Sequence, residues 1–126
     1  HEVRLTAELV RLPIPLHLWT RGSKTSRQFR PDAELESLFV EFDTGTEKRP
    51  QLQRQARAYH QTERLVLWMV PGVKQIEWLR QVAKPDTTLV MLHGGSEIFD
   101  LKGRTASVEQ VCARILGLLQ HPVAGT

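Results

Sequence analysis

Cysteine is almost absent from this chain of 126 residues: Cys112 stands alone. A single thiol excludes an internal disulfide and any cysteine-rich zinc site, and it fits a reducing compartment, so a cytoplasmic location is expected. Long apolar runs are missing as well. The longest, "LVLWMV" and "LVML", fall far short of the roughly 20 residues a membrane helix needs, so no membrane span is expected. The five histidines show no H-x-x-x-H spacing, which removes the commonest helical zinc pattern. "HGGSE" at 93–97 lacks both the lysine of a phosphate loop and a G-x-S-x-G elbow, and so reads as a turn that ends a strand. No signal peptide is visible, and with His at position 1 the chain is expected to be the C-terminal part of something longer.

What is present is an ordinary globular composition, 40% apolar and 25% charged, in a length that suits one domain with a real core. The net charge of +3 is mild, but its distribution is not even. Residues 20–31 carry Arg21, Lys24, Arg27 and Arg30 without an acid. Residues 32–47 carry Asp32, Glu34, Glu36, Glu41, Asp43 and Glu47 without a base. Residues 48–64 return to basic with Lys48, Arg49, Arg54, Arg57 and Arg64 against Glu63. Such a basic–acidic–basic order is what a site needs when it binds a cation together with the polyanion that cation touches. The alternative is a solvated hairpin edge that happens to be acidic.

Periodicity gives the order of elements. "HEVRLTAELVRL" predicts a helix that Pro13 and Pro15 end. "LHLWT" predicts a short strand, "RGSKTSRQ" a loop, and "FRPDAELE" with "SLFVEFD" two strands joined by a tight turn near Glu36 and Ser37. From Glu47 to Gln61 the period is helical, with Leu52, Ala56 and Tyr59 as the apolar stripe and Pro50 in the first turn. The spacing Thr44 to Glu47 offers a capping signal for it. "RLVLWMV" predicts a strand covered on both faces, as does "TTLVMLH"; between them "GVKQIEWLRQVA" predicts a helix through Val73, Ile76, Leu79 and Val82. "GGSEIFDLKG" predicts a turn and a short edge strand. "SVEQVCARILGLLQ" predicts an amphipathic helix capped by Ser107, with Cys112 in its core stripe, and "HPVAGT" a frayed end. A hairpin followed by alternating helices and strands implies an α/β fold: a central mixed sheet with helices on both faces.

Alternation along the two hairpin strands sets Glu41 and Asp43 opposite Leu38, Val40 and Phe42, and Asp32 with Glu34 and Glu36 opposite Ala33 and Leu35. If the strands pair, Asp32 faces Glu41 and Asp43. Three carboxylates brought together would repel unless neutralised, and hard oxygen donors suit Mg²⁺ or Mn²⁺ rather than zinc. Glu34, Glu36 and Glu47 are read as solvated or capping residues instead.

"RPDA", then "VEFD" on the next strand, then a helix carrying Arg and Gln, resembles the core of the PD-(D/E)xK restriction-endonuclease-like fold (αβββαβαβ). More narrowly, "EFDTGTEKRPQLQRQARAYH" followed by "LVLWMVP" is similar to the plasmid replication-relaxation family, whose members join a winged-helix DNA-binding part to a nuclease-like C-terminal part. The resemblance spans residues 1–92. It implies that Asp32 is the first metal-binding acid and Glu41 the second, with Mg²⁺ as cofactor and DNA as partner. It also places Asp43 where nucleases of this fold carry lysine, and Gln55, four residues before Tyr59, where the family helix carries one. Lys48, Arg54 or Arg57 would have to substitute. The implied role is a DNA-associated domain of plasmid replication or mobilisation type with a degenerate catalytic motif (Asp32, Glu41, Asp43, Gln55). Arg21, Lys24, Arg27, Arg30, Lys48, Arg54 and Arg57 are the phosphate-contact candidates. The alternatives are a Mg²⁺-dependent endonuclease and an interaction module that forms a homodimer through the last helix.

Overall fold

A computed structural model describes residues 2–12, 14, 20–21, 32–35 and 38–120. Helix α1 spans Glu2–Arg11, followed by strands β1 (Thr20–Arg21), β2 (Ala33–Leu35) and β3 (Leu38–Phe42). Helix α2 (Arg49–Ala58) continues into a 3₁₀ turn at Tyr59–Gln61; β4 (Leu65–Val70), α3 (Val73–Val82) and β5 (Thr88–Leu92) follow. β6 (Glu97–Asp100), β7 (Thr105–Ser107) and α4 (Val108–Gln120) complete the described chain.

The seven strands form one sheet whose spatial order is the chain order. β1, β2 and β3 run antiparallel, β3, β4 and β5 run parallel, and β6 and β7 return antiparallel. Parallel neighbours need a crossover, and α2 and α3 supply the two. Both crossovers step the same way across the sheet, so both helices cover the same face.

The sheet separates two apolar clusters. In β4, Leu67 and Met69 enter one cluster while Val66, Trp68 and Val70 enter the other, which is why "LVLWMV" is apolar without a break. α1 closes the first face through Leu5, Leu9 and Leu12, spaced i, i+4, i+7, and α4 does so through Val108, Cys112 and Ile115. Leu52 and Ala56 of α2 and Leu79 of α3 close the second. Cys112 is therefore a core side chain; burial, then the charge of Glu109, pushes its thiol up to about 11.

Several local expectations are corrected. The strand expected at 16–20 is described only at Thr20–Arg21, so Arg21 belongs to a strand and not to a loop. α2 begins after Lys48, which makes no side-chain cap; Thr44 bonds Thr46 at 2.9 Å instead of capping the helix with Glu47. Val73, expected on the apolar face of α3, is 64% exposed. It sits in the first turn, before the helix reaches the sheet, and Gln75 and Leu79 are the buried residues instead. β6 is not an edge: β7 pairs outside it. The β6–β7 turn is held by Asp100, whose Oδ1 accepts the backbone N–H groups of Lys102 and Arg104, each at 2.9 Å, while Gly103 takes φ +89°.

Ser107 caps α4 as expected and exchanges reciprocal bonds with Gln110, both at 3.1 Å. Val108, Cys112 and Ile115, in the stripe expected to be core, are buried against the chain's own sheet, so they are not open to the homodimer contact given as an alternative. No helix of the described residues is long and apolar enough to cross a membrane. The turn expected at Glu36 and Ser37, and the end 121–126, lie outside the described residues.

Candidate functional site

Three acids of the hairpin do not face water. Glu34, Glu41 and Asp43 are 7%, 8% and 1% exposed, so the reading of a solvated acidic edge does not hold for them. The cause is the sheet: β3 is an inner strand between β2 and β4, and α2 covers the face on which its alternate residues Phe39 and Glu41 stand.

β2 and β3 pair Ala33 with Val40, and stepping the register outward sets Asp32 across from Glu41. Asp32 Oδ2 accepts the Phe42 N–H at 2.7 Å, which fixes this carboxylate at the strand end. Glu41 accepts the hydroxyl of Tyr59, a buried contact that crosses from α2 to the sheet. Asp43 donates its N–H to the Met69 carbonyl (2.9 Å), and its Oδ1 accepts the Gly45 N–H (2.8 Å). Gly45 takes φ +93°, and a Cβ there would come within 3.2 Å of Pro71, so this turn requires glycine.

Two buried acceptors have no hydrogen-bond partner, Asp43 Oδ2 and Gln55 Oε1. Gln55 lies on α2 one turn before Tyr59, and helical side chains lean toward the N-terminus of their helix. Here that direction is toward Lys48, the residue before α2. An unpartnered buried oxygen is costly, so Asp43 Oδ2 and Gln55 Oε1 each call for a positive or hydrogen-bearing group.

Burial, then the charge of Asp32, pushes the Glu41 carboxyl well above its ordinary value, against the lowering effect of the Tyr59 hydroxyl. Glu47, half-buried, is also raised, by burial and then by Asp43 and Asp32. Tyr59 is pushed up by burial and by Glu41, so its hydroxyl stays protonated and donates. Asp32, Glu41, Asp43 and Glu47 thus lie in one electrostatic field. Among the described residues no group of three or more His, Cys, Asp and Glu is arranged to hold a metal ion.

Because the folded chain holds the Glu41 proton more tightly than the unfolded chain, protonation contributes stability below the ordinary 4.5. That contribution is lost as pH rises through the raised value. Glu41→Gln keeps the shape and the Tyr59 bond but removes the charge. Its melting temperature should match wild type at pH 4 and exceed it at pH 8 by about 4 °C, the effect of roughly 1 kcal/mol in a small domain. Thermal melts at the two pH values decide this; an equal offset at both would remove Glu41 as the source.

Glu34, on the same face of β2, is accounted for by structure: Arg64 reaches it at 3.3 Å, bonds the Leu35 carbonyl, and lies 3.9 Å over the Phe39 ring. Glu36 lies outside the described residues. Lys48, in the loop before α2, and Arg54 and Arg57, on α2, are exposed. Arg21 is placed in β1, antiparallel to β2, while Lys24, Arg27 and Arg30 lie outside the described residues. His60 is exposed and its Nε2 meets the Val82 carbonyl, away from the acids. His93 ends β5 in a turn, as expected, and stacks on Phe42 at 4.7 Å on the opposite face.

Sequence reasoning misses two members of the site. Tyr59 reads there as stripe only, although a buried tyrosine must find a partner for its hydroxyl, and the acids are the available ones. Glu47 reads as a capping residue. Among protein-family models, curated proteins and solved structures, none matches this chain.

Proposed function

We propose that the chain is a restriction-endonuclease-like, DNA-associated domain of the replication-relaxation kind, in which an acidic centre binds a divalent cation beside a phosphate backbone. The observation that carries this reading is the unpartnered buried oxygen of Asp43, in one electrostatic field with the carboxylates of Asp32, Glu41 and Glu47; Gln55 Oε1, on α2, is a second unpartnered buried oxygen. The order α1-β1-β2-β3-α2-β4 supports it as well.

The donors are all oxygens, which suits Mg²⁺ or Mn²⁺. Asp32, Asp43 and Gln55 would hold the ion, with Glu41 oriented by Tyr59. A bound ion would supply the positive charge that lets a phosphate approach carboxylates that otherwise repel it. Lys48, Arg54 and Arg57 are exposed on α2 and its leading loop, and with Arg21, Lys24, Arg27 and Arg30 they are the phosphate-contact candidates. Asp43 and Gln55 occupy the positions where the resemblance implies lysine. Neither carries the positive charge that would stabilise a phosphodiester transition state, so the reading favours association over cleavage.

The test is fluorescence anisotropy with a labelled duplex, titrated with salt in the presence and absence of Mg²⁺. Mg²⁺ should tighten binding, and Asp32→Ala should remove the Mg²⁺-dependent part alone. Removing the charges of Lys48, Arg54 and Arg57 together should flatten the salt slope by about 0.9 for each phosphate no longer neutralised. Binding indifferent to both Mg²⁺ and Asp32 would overturn the reading.

A further inference from the structure

A second hollow lies away from the acids, with a volume of about 420 Å³, within the roughly 300–1,000 Å³ typical of small-molecule sites. It opens at the starts of β4 and β5, the sheet end opposite Asp43, and is bounded by β6, β7 and α4. Its floor is apolar: Leu65, Leu89, Ile98, Val111 and Ile115.

The charges at its rim are already committed, with one exception. Asp100 Oδ2 accepts from Arg104 Nε at 2.7 Å, and Asp86 meets Lys102 at 3.4 Å. Asp100 also accepts two backbone N–H groups, and with Arg104 these hold its carboxyl below the ordinary value although burial acts the other way. Arg114 makes no hydrogen bond or ion pair among the described residues. It is exposed on α4 one turn after Val111 and lines the hollow together with the apolar residues. A closed apolar floor with one uncommitted guanidinium at the rim complements a ligand with an apolar body and a single negative charge.

We propose that this hollow binds a small amphipathic monoanion, a medium-chain or aryl carboxylate, with its apolar body on the floor and its carboxylate on Arg114. The site is independent of the acidic centre and of the DNA reading.

Octanoate, octanol and octylamine, each at concentrations where it is monomeric, are titrated into the chain by calorimetry. Octanoate should bind more tightly than octanol, and octylamine should not bind. Arg114→Gln should weaken octanoate about tenfold, the loss expected for one charge-assisted bond, and leave octanol unchanged. Arg104→Gln, whose guanidinium is already held by Asp100, should change octanoate less than twofold by the same reasoning. Both variants alter exposed side chains, and their melting curves verify folding. Absence of octanoate binding, equal affinity for the three probes, or octanoate affinity indifferent to Arg114→Gln would each overturn the proposal.

Discussion

Replacing Gln55 by lysine is expected to raise Mg²⁺-dependent nicking of supercoiled DNA about a hundredfold over the wild-type chain. One preorganised charge at a developing oxyanion is worth about two to three orders of magnitude in rate. Position 55 is on the sheet-facing side of α2, one turn before Tyr59, and its amide oxygen is buried without a partner. In the proposed centre a lysine there would exchange that orphaned acceptor for a cation, so the acids that repel one another would gain a counter-charge. The same substitution should therefore stabilise the fold at pH 8, which separates a working variant from a damaged one. The measurement is the conversion of supercoiled to open-circular plasmid with Mg²⁺, with Gln55→Lys combined with Asp32→Ala as the control that returns the rate to baseline. A folded Gln55→Lys variant with no added nicking would end the nuclease-like reading of this centre.

Arg64→Ala should be the most damaging single change outside the apolar core, costing about 3 kcal/mol. Removing one partner of a buried ion pair typically costs about 3–5 kcal/mol, because the remaining charge is left without compensation. Glu34 is 7% exposed and Arg64 is its ion-pair partner at 3.3 Å. The same guanidinium bonds the Leu35 carbonyl and covers the Phe39 ring, so a main-chain bond and a cation–π interaction disappear with it. Arg64 keeps some exposure, which places the expectation at the lower end of the range. Urea denaturation gives the value, and adding Glu34→Gln to Arg64→Ala should recover part of the loss by removing the stranded charge. A cost below about 1 kcal/mol would place the pair with ordinary surface salt bridges.

The sheet was legible because burial on both faces writes itself into composition: β4 and β5 are apolar without a break, and the helices between them carry a period near 3.6. The shared face of Asp32 and Glu41 followed from the period of two along a strand, and their register from the tight turn expected at Glu36 and Ser37. Three residues of β7 are too few to show any period, so this strand was not expected. Val73 was misplaced because helical phase says which residues share a face, not where along its length the helix first meets the sheet. Glu41 was placed correctly but its burial was not. A carboxylate looks the same in sequence whether it meets water or the hydroxyl of Tyr59, and only the crossover geometry of α2 brings the two together.

Because each strand lies beside the one made just before it, the sheet can be extended during synthesis without any newcomer having to wedge between partners that have already zipped up. Between sheet neighbours only the two parallel pairings, across α2 and α3, ask for closure over a whole helix.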